Sequence, residues 1–185
     1  DNIAPIPGSL SLADFSDTGI SLSDGISNDN TFNLTLTGQE TGSTVVYQIS
    51  ADGGNTWVAT TAAQTGVADN TYQYRAVVTD VNGNSSVTDT VNVTVDTAAP
   101  DAHELDPVNV TDPISGTAEI GATVTVTFPD GTIATALADE SGSWSVANPG
   151  GLANGDIITA IATDPAGNAS LSGSGTVSAD ITAPV

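Results

Sequence analysis

The sequence contains no cysteine, no lysine and one arginine, Arg75, among its 185 residues. Without cysteine, neither a disulfide framework nor thiol chemistry is possible. The 22 acidic residues give a net charge of −21, and a single cationic side chain cannot neutralise the phosphates of a nucleic acid. No apolar run is long enough to span a membrane, and the N-terminus lacks the charged and then apolar pattern of a signal peptide.

Catalytic groups are also scarce. There is one histidine, His103, and no Gly-x-Ser-x-Gly motif that would present a nucleophile. Carboxylates are plentiful, but they precede glycine and asparagine as turn residues and do not form an acid–base pair in an apolar cleft. We therefore expect a protein that is not an enzyme, with His103 as a solvated surface residue.

No segment shows a helical period, whereas alternation of apolar and polar residues is frequent. It occurs at 32–37, 45–49, 72–78, 91–95, 124–128, 144–146 and 158–162. Turn sequences rich in Asp, Asn and Gly separate these segments, at 52–55, 82–84, 130–131, 154–156 and 166–168. The pattern predicts an all-β fold class.

The chain repeats itself. The phrase DTAAP at 96–100 has counterparts in DNIAP at 1–5 and DITAP at 180–184. Three further pairs align, namely 38–45 with 116–124, 52–57 with 139–144, and 79–86 with 163–170. Such self-similarity predicts two copies of one domain, 1–95 and 96–185, with a linker at 96–100. With about seven short strands per copy, we expect two tandem Ig-like β-sandwich domains joined end to end.

These motifs resemble a known family. The combination of D-x-x-A-P, the segment GTAEIGATV at 116–124, a turn Asp followed by Trp, and TDPAGN at 163–168 resembles the bacterial Ig-like (BIg) repeats of giant type I-secreted, Bap-like biofilm and host-cell adhesins. Residues 17–45 are similar to a second form of the same repeat. The resemblance implies calcium at and near the linkers. The first copy departs from the pattern at Gln39–Thr41 and at Val81–Asn82, which leaves its own site less defined.

The Ig-like topology would bring the acidic motifs to one end of each domain. The turn that contains Glu119 should lie beside Asp164 and the linker Asp96, where clustered carboxylates repel one another unless they bind a cation. Calcium prefers six to eight oxygen ligands, whereas magnesium fits less well and zinc lacks its usual ligands here. The predicted Ca²⁺ ligands are Asp96, Glu119, Asp164 and Asn168 for domain two, Asp1, Glu40, Asp80 and Asn84 for domain one, and Asp17, Asp24 and Asp29 near the junction.

Turn formation is the alternative role for each of these residues. For Asp52 and Asp130 it is the preferred interpretation, and for Asp164 taken alone it is also favoured. For Asp17, Asp24 and Asp29 the two interpretations are balanced. We expect Trp57 and Trp144 to fill the cores, although an exposed Trp could stack on a sugar.

The sequence thus predicts structural extender repeats of a secreted bacterial surface adhesin, rigidified by Ca²⁺ at inter-domain junctions and supporting cell adhesion and biofilm formation. The expected partners are calcium ions and neighbouring Ig-like repeats of the same chain, in a monomer outside the cell without membrane insertion. Because the repeated phrase begins and ends the chain, we expect an excerpt of a longer array. The alternatives are a glycan- or host-protein-binding module and an accessory domain of an extracellular hydrolase.

Overall fold

The computed structural model describes residues 2–179 as strands joined by turns and loops. Its fold class is all-β, as predicted. The chain divides into two compact units, domain one (Asp1–Thr97) and domain two (Ala98–Val185). In the described residues, no helix is long and apolar enough to cross a membrane.

Domain one places nine strands in two sheets within the part of it that is described. The strands are β1 (Ser9–Ala13), β2 (Ile26–Ser27), β3 (Phe32–Thr37), β4 (Thr44–Ser50), β5 (Val58–Thr60), β6 (Ala63–Gln64), β7 (Asn70–Thr79), β8 (Ser85–Val87) and β9 (Val91–Val95). One sheet has the order β1-β3-β6 and the other the order β2-β9-β7-β4-β5, with β8 paired to β7. All of these pairs are antiparallel except β2 with β9, which is parallel.

The core of domain one follows from alternation along its strands. On β7, Tyr74, Ala76 and Val78 are fully buried, while the residues between them are partly exposed. Phe32 meets the Tyr74 ring edge to face, with centroids 5.8 Å apart. Such an aromatic pair contributes about 1 kcal/mol beyond the area that it buries. The same period that predicted the strands therefore also selects the residues that hold the two sheets together.

Domain two has seven strands in its described residues. They are β10 (Glu104–Leu105), β11 (Ile114–Thr117), β12 (Thr123–Thr127), β13 (Ile133–Leu137), β14 (Ser143–Val146), β15 (Ile157–Thr163) and β16 (Gly173–Thr176). The sheets have the orders β10-β11-β14 and β13-β12-β15-β16. Isolated bridges join Asn109 to Ser178 in parallel and Thr163 to Ala169 in antiparallel fashion. These bridges take the places of β2–β9 and β7–β8, so the two domains share one topology.

The core of domain two is formed mainly by valine, isoleucine and alanine. Val124 and Val126 on β12 lie beside Ala162 and Ala160 on β15, on the inner face of one sheet, and all four are at most 1% exposed. Trp144 lies in the same cluster at 3% exposure, which confirms its predicted role in the core. Threonines occupy the alternate positions of β12, and the exposed side chains of Ile133, Leu137 and Ile161 lie beside them, so the outer face of this sheet mixes polar and apolar residues.

Candidate metal site

Strand register brings the predicted acidic turns of domain two to one end. Thr123, the first residue of β12, pairs with Thr163, the last residue of β15. The turn that contains Glu119 precedes β12 and the turn that begins at Asp164 follows β15, so both turns lie at this end. The chain also enters here, because Glu104 on β10 pairs with Thr117. The predicted placement of Glu119 and Asp164 within domain two is thus observed.

Asp164 stabilises the turn 164–168, which it begins, through hydrogen bonds to Asn168. Its side chain is 1% exposed, and one carboxylate oxygen, Oδ1, accepts the backbone N–H of Asn168 at 2.9 Å. The other, Oδ2, accepts the Asn168 side-chain amide, also at 2.9 Å. Each oxygen keeps one lone-pair direction beyond these bonds. The turn role of Asp164 is therefore established, and metal ligation by Asp164 and Asn168 stays a prediction.

Domain one repeats this turn with Asp80 and Asn84. Asp80 Oδ1 accepts the backbone N–H groups of Asn82 and Asn84, each at 2.8 Å, and Oδ2 accepts the Asn84 amide at 2.8 Å. The hydrogen bond from the Asn84 side chain is the main reason that the pKa of Asp80 lies below its ordinary value. Thr44 pairs with Thr79, so the Glu40 turn lies at the same end of this domain as the Asp80 turn.

The two glutamates have open surroundings. Glu119 lines an open cavity of about 300 Å³ together with Asp101 and Glu104. Glu40 is exposed, and its backbone N–H donates to Ile6 O at 3.1 Å, which ties the N-terminal segment to this turn. Asp101 and Glu104 were not singled out in the sequence. They lie in the entering segment, whose position depends on a strand pair that is only two residues long.

The connection between β1 and β3 lies at the opposite end of domain one. Asp17 Oδ2 accepts the Gly25 N–H at 3.0 Å, and Asp24 Oδ1 accepts the Ile26 N–H at 3.0 Å. Asp29 bridges the connection by accepting the Ser16 N–H at 2.8 Å. The three aspartates therefore shape this loop. Asp17 Oδ1 differs from the other oxygens, because it is buried without a hydrogen-bond partner in the described residues.

Asp96 is attached to this end of domain one, and its predicted grouping with Glu119 and Asp164 stays a prediction. Its N–H donates to Ser27 O at 2.9 Å, and this bond extends the parallel pairing of β2 with β9. Thr97 donates from both its N–H and its hydroxyl to Asp69 Oδ1, at 3.0 and 2.9 Å. Asp69 was missed in the sequence. Asp69 directly precedes β7, whose first residue pairs with Val95 at the end of β9. This position next to the linker could have indicated the contact with Thr97.

Carboxylates alone do not complete a metal site. Within residues 2–179, no group of three or more His, Asp or Glu side chains is arranged to hold a metal ion. Asp1 lies outside the described residues. An ion would therefore also need oxygen ligands from hydroxyl, amide or carbonyl groups, all of which Ca²⁺ accepts.

Two other predictions are settled by burial. His103 is 6% exposed, so its expected place on the solvated surface is wrong. Trp57 is also not a core residue, because its ring lies on the outer side of domain one with the Arg75 guanidinium 4.0 Å from the ring centroid. Asp52 and Asp130 accept the N–H groups of Thr56 and Thr132, which confirms them as turn residues.

Comparison with known proteins gives two family matches. Residues 3–97 match a family model described as a bacterial Ig-like domain, and residues 99–180 match a second model described as a bacterial Ig domain. No curated protein has a detectably similar sequence.

The chain is similar to several solved structures. A BSP domain of a biofilm-associated protein is 22% identical over 96% of this chain, with a TM-score of 0.40. Fibronectin(III)-like modules of Clostridium thermocellum CbhA are 16% identical over 95% of the chain, with a TM-score of 0.46. A 1.5-MDa bacterial ice-binding adhesin is 20% identical over 94%, with a TM-score of 0.38. The chain spans 30%, 97% and 65% of these three structures.

Proposed function

Since the chain belongs to the bacterial Ig-like domain family, with two such domains in tandem, we propose that it is an extender segment of a secreted bacterial surface adhesin. In this proposal Ca²⁺ binds at the junctions between domains and stiffens the array, which carries a distant binding region away from the cell. The neighbouring repeats of the same chain are then its main partners, and biofilm formation or host adhesion is the outcome.

The observation that best supports a cation is the carboxylate of Asp17. A buried carboxylate oxygen without a donor costs on the order of 1–3 kcal/mol, and a bound cation removes this cost. The loop around Asp17 is held by Ser27, whose hydroxyl donates to Ser16 O and accepts the Asp29 N–H. A carboxylate oxygen is a hard ligand that suits Ca²⁺, and the loop is attached to Asp96 through Ser27.

The residues that would hold ions are those at the two ends of the domains. Asp17 and Asp96 would hold an ion at the end where the chain leaves domain one. Glu119 and Asp164 would hold an ion at the end where the chain enters domain two. A bound divalent ion supplies positive charge among carboxylates that otherwise repel one another. The backbone of this chain adds to the stiffness, because Pro100 fixes φ and has no N–H group.

The first experiment counts ions and measures shape on the same sample. Native mass spectrometry of the protein with Ca²⁺ is expected to show bound ions that EDTA removes. Small-angle scattering should then show a wider spread of inter-domain orientations in EDTA, and the melting temperature should fall because Ca²⁺ binds the folded state. Scattering curves that are identical with and without Ca²⁺ would rule out stiffening by the ion.

Single substitutions then locate the ions. Asp17→Asn and Asp96→Asn should each reduce the number of bound ions or weaken their binding, whereas Asp89→Asn should not. Asp89 is exposed and lies in the same domain, so this control removes an equal charge away from the candidate site. If Asp17→Asn binds as many ions as Asp89→Asn with equal affinity, then the assignment of Asp17 is wrong.

A further inference from the structure

His103, the single histidine of the chain, is buried in domain two and packs closely against its neighbours. It directly precedes β10, and its ring packs on Gly173 at the start of β16. A Cβ atom at position 173 would lie 2.6 Å from His103 Nε2 and 3.1 Å from Cε1, so the ring fills the space that glycine leaves free. The contact joins the entering segment, residues 98–105, to a strand of the opposite sheet.

Hydrogen bonding defines the tautomer of this ring. Ser170 Oγ donates to Leu171 O at 2.9 Å and accepts the Ala162 N–H at 3.0 Å, so its single hydrogen is already used. The 3.3 Å contact between His103 Nδ1 and Ser170 Oγ therefore has Nδ1–H as the donor. The other nitrogen, Nε2, then carries a lone pair, and it is buried without a partner among the described residues.

No carboxylate is in place to balance a charge on this ring. The strands around it, β10, β11, β15 and β16, carry one ionisable residue, Glu104, which is exposed. Asp101 is also exposed, and the buried Asp164 directs both of its oxygens to Asn168. Protonation of Nε2 would therefore place a positive charge and an unpaired donor against Gly173. Burial of the ring accordingly lowers the pKa of His103.

We propose that His103 is a pH-sensitive latch, whose protonation releases the entering segment of domain two, residues 98–105, from β16. Domain one contains no histidine and has no such latch. Apart from the ring contact, the segment is held by the two-residue pairing of β10 with β11 and by Leu105, which packs against the core.

The direction of the pH effect follows from linkage. A histidine ordinarily titrates near pH 6.5 when it is exposed, and the latched form binds the proton less well than the open form. The closed segment is therefore most stable above pH 6.5 and loses stability as the pH falls below it. Between pH 7.5 and 5.5 the opening constant can rise by at most about tenfold. Carboxyl groups ordinarily titrate near pH 4, so this interval isolates the histidine.

Hydrogen exchange on the intact two-domain chain tests the latch directly. After correction for the intrinsic exchange rate, protection in 98–105 and in β16 should fall several-fold from pH 7.5 to 5.5. Peptides from domain one should keep their protection. Unchanged protection in 98–105 would overturn the proposal. An equal loss in β12 would also overturn it, because the whole domain would then be opening.

NMR provides a second readout, because one histidine gives one Cε1–H signal. Its titration midpoint should lie below 6.5 in the wild-type protein, and a midpoint at or above 6.5 would contradict the latch. Gly173→Ala should push the ring outward and raise the midpoint towards 6.5. His103→Gln should make protection of 98–105 independent of pH in this interval, and a pH response that survives this substitution would point to another group. The wild-type titration decides the question even if a variant fails to fold.

Discussion

At the scale of single residues, aspartate in this protein mainly organises turns. Asp52, Asp80, Asp130 and Asp139 each accept backbone N–H groups within a few residues. The pKa of each lies below its ordinary value, mainly because of a side-chain hydrogen bond and also because of these backbone bonds. Such roles can be predicted from the sequence, because an Asx turn is local. The burial of His103 could not be predicted, because it depends on Gly173, which lies seventy positions later.

Asp52 offers a direct test of this turn chemistry. Hydrogen bonds from the Thr56 hydroxyl, the Thr56 N–H and the Ser50 hydroxyl lower its pKa to about 2. The carboxylate therefore contributes stability at pH values above about 4, and this contribution is lost as the pH falls towards 2. A carbon-detected NMR titration should show the low midpoint. Thr56→Val removes the principal donor and should raise the midpoint, whereas an unchanged midpoint would contradict the assignment.

The shared turn of the two domains permits a matched comparison. Asp164→Ala removes the buried carboxylate that accepts the part-buried Asn168 amide and should destabilise domain two by about 1–3 kcal/mol. Asp80→Ala removes the same bonds in domain one, where the turn is more exposed, and should cost less. Urea unfolding, followed through Trp144 for domain two and Trp57 for domain one, measures both losses. Equal losses would show that the deeper burial of Asp164 does not make its turn contribute more to stability than the Asp80 turn.

At the scale of secondary-structure elements, long alternating strands were predictable and very short ones were not. The alternation in 72–78 and 124–128 predicted β7 and β12, because half-buried strands repeat every two residues. The strands β2, β6 and β10 have two residues each and no period to detect. Their pairing is set by neighbours distant in sequence. Since Asp96 and the entering segment are attached through β2 and β10, part of the candidate site could not be derived from local patterns.

Gly116 sets how closely β10 approaches β11. A Cβ atom at this position would overlap the Glu104 carbonyl oxygen and lie 3.0 Å from Trp144 Cζ2. Gly116→Ala should therefore displace β10 and lower the stability of domain two by about 1–3 kcal/mol, as overpacking commonly does. Thermal unfolding followed through Trp144 measures the loss. Thr117→Ala on the same strand is the control, because the Thr117 side chain is exposed. If the Gly116→Ala protein has the same melting temperature as this control, then β10 and β11 are not tightly apposed.

At the scale of the whole molecule, charge dominates. Domain one carries a net charge of −10 and domain two −11, counted over all residues of each unit. Self-repulsion of this size opposes the folded state and weakens when salt screens it. The total charge was readable from the sequence. Which end of each domain carries which carboxylate could also be predicted, because the Ig-like topology fixes where the turns between strands lie.

Salt and calcium should act differently if ions bind at defined places. Raising NaCl is expected to increase the melting temperatures of both domains gradually through screening. CaCl₂ at the same ionic strength should add a larger, saturable increase that Asp17→Asn reduces in domain one. Differential scanning calorimetry measures both series. If NaCl and CaCl₂ coincide at every ionic strength, then screening accounts for the whole effect and site binding is excluded.

The parallel pairing of β2 with β9 has a mechanical consequence. Thr94 N–H bonds to Gly25 O at 2.7 Å and Asp96 N–H to Ser27 O at 2.9 Å, while the other edge of β9 pairs with β7 over five residues. A pull on the chain beyond Thr97, directed along β9, shears both rows of bonds together instead of opening them one after another. The strand next to the linker, β9, is thus hydrogen-bonded along both of its edges, which is an arrangement suited to a chain that bears tension.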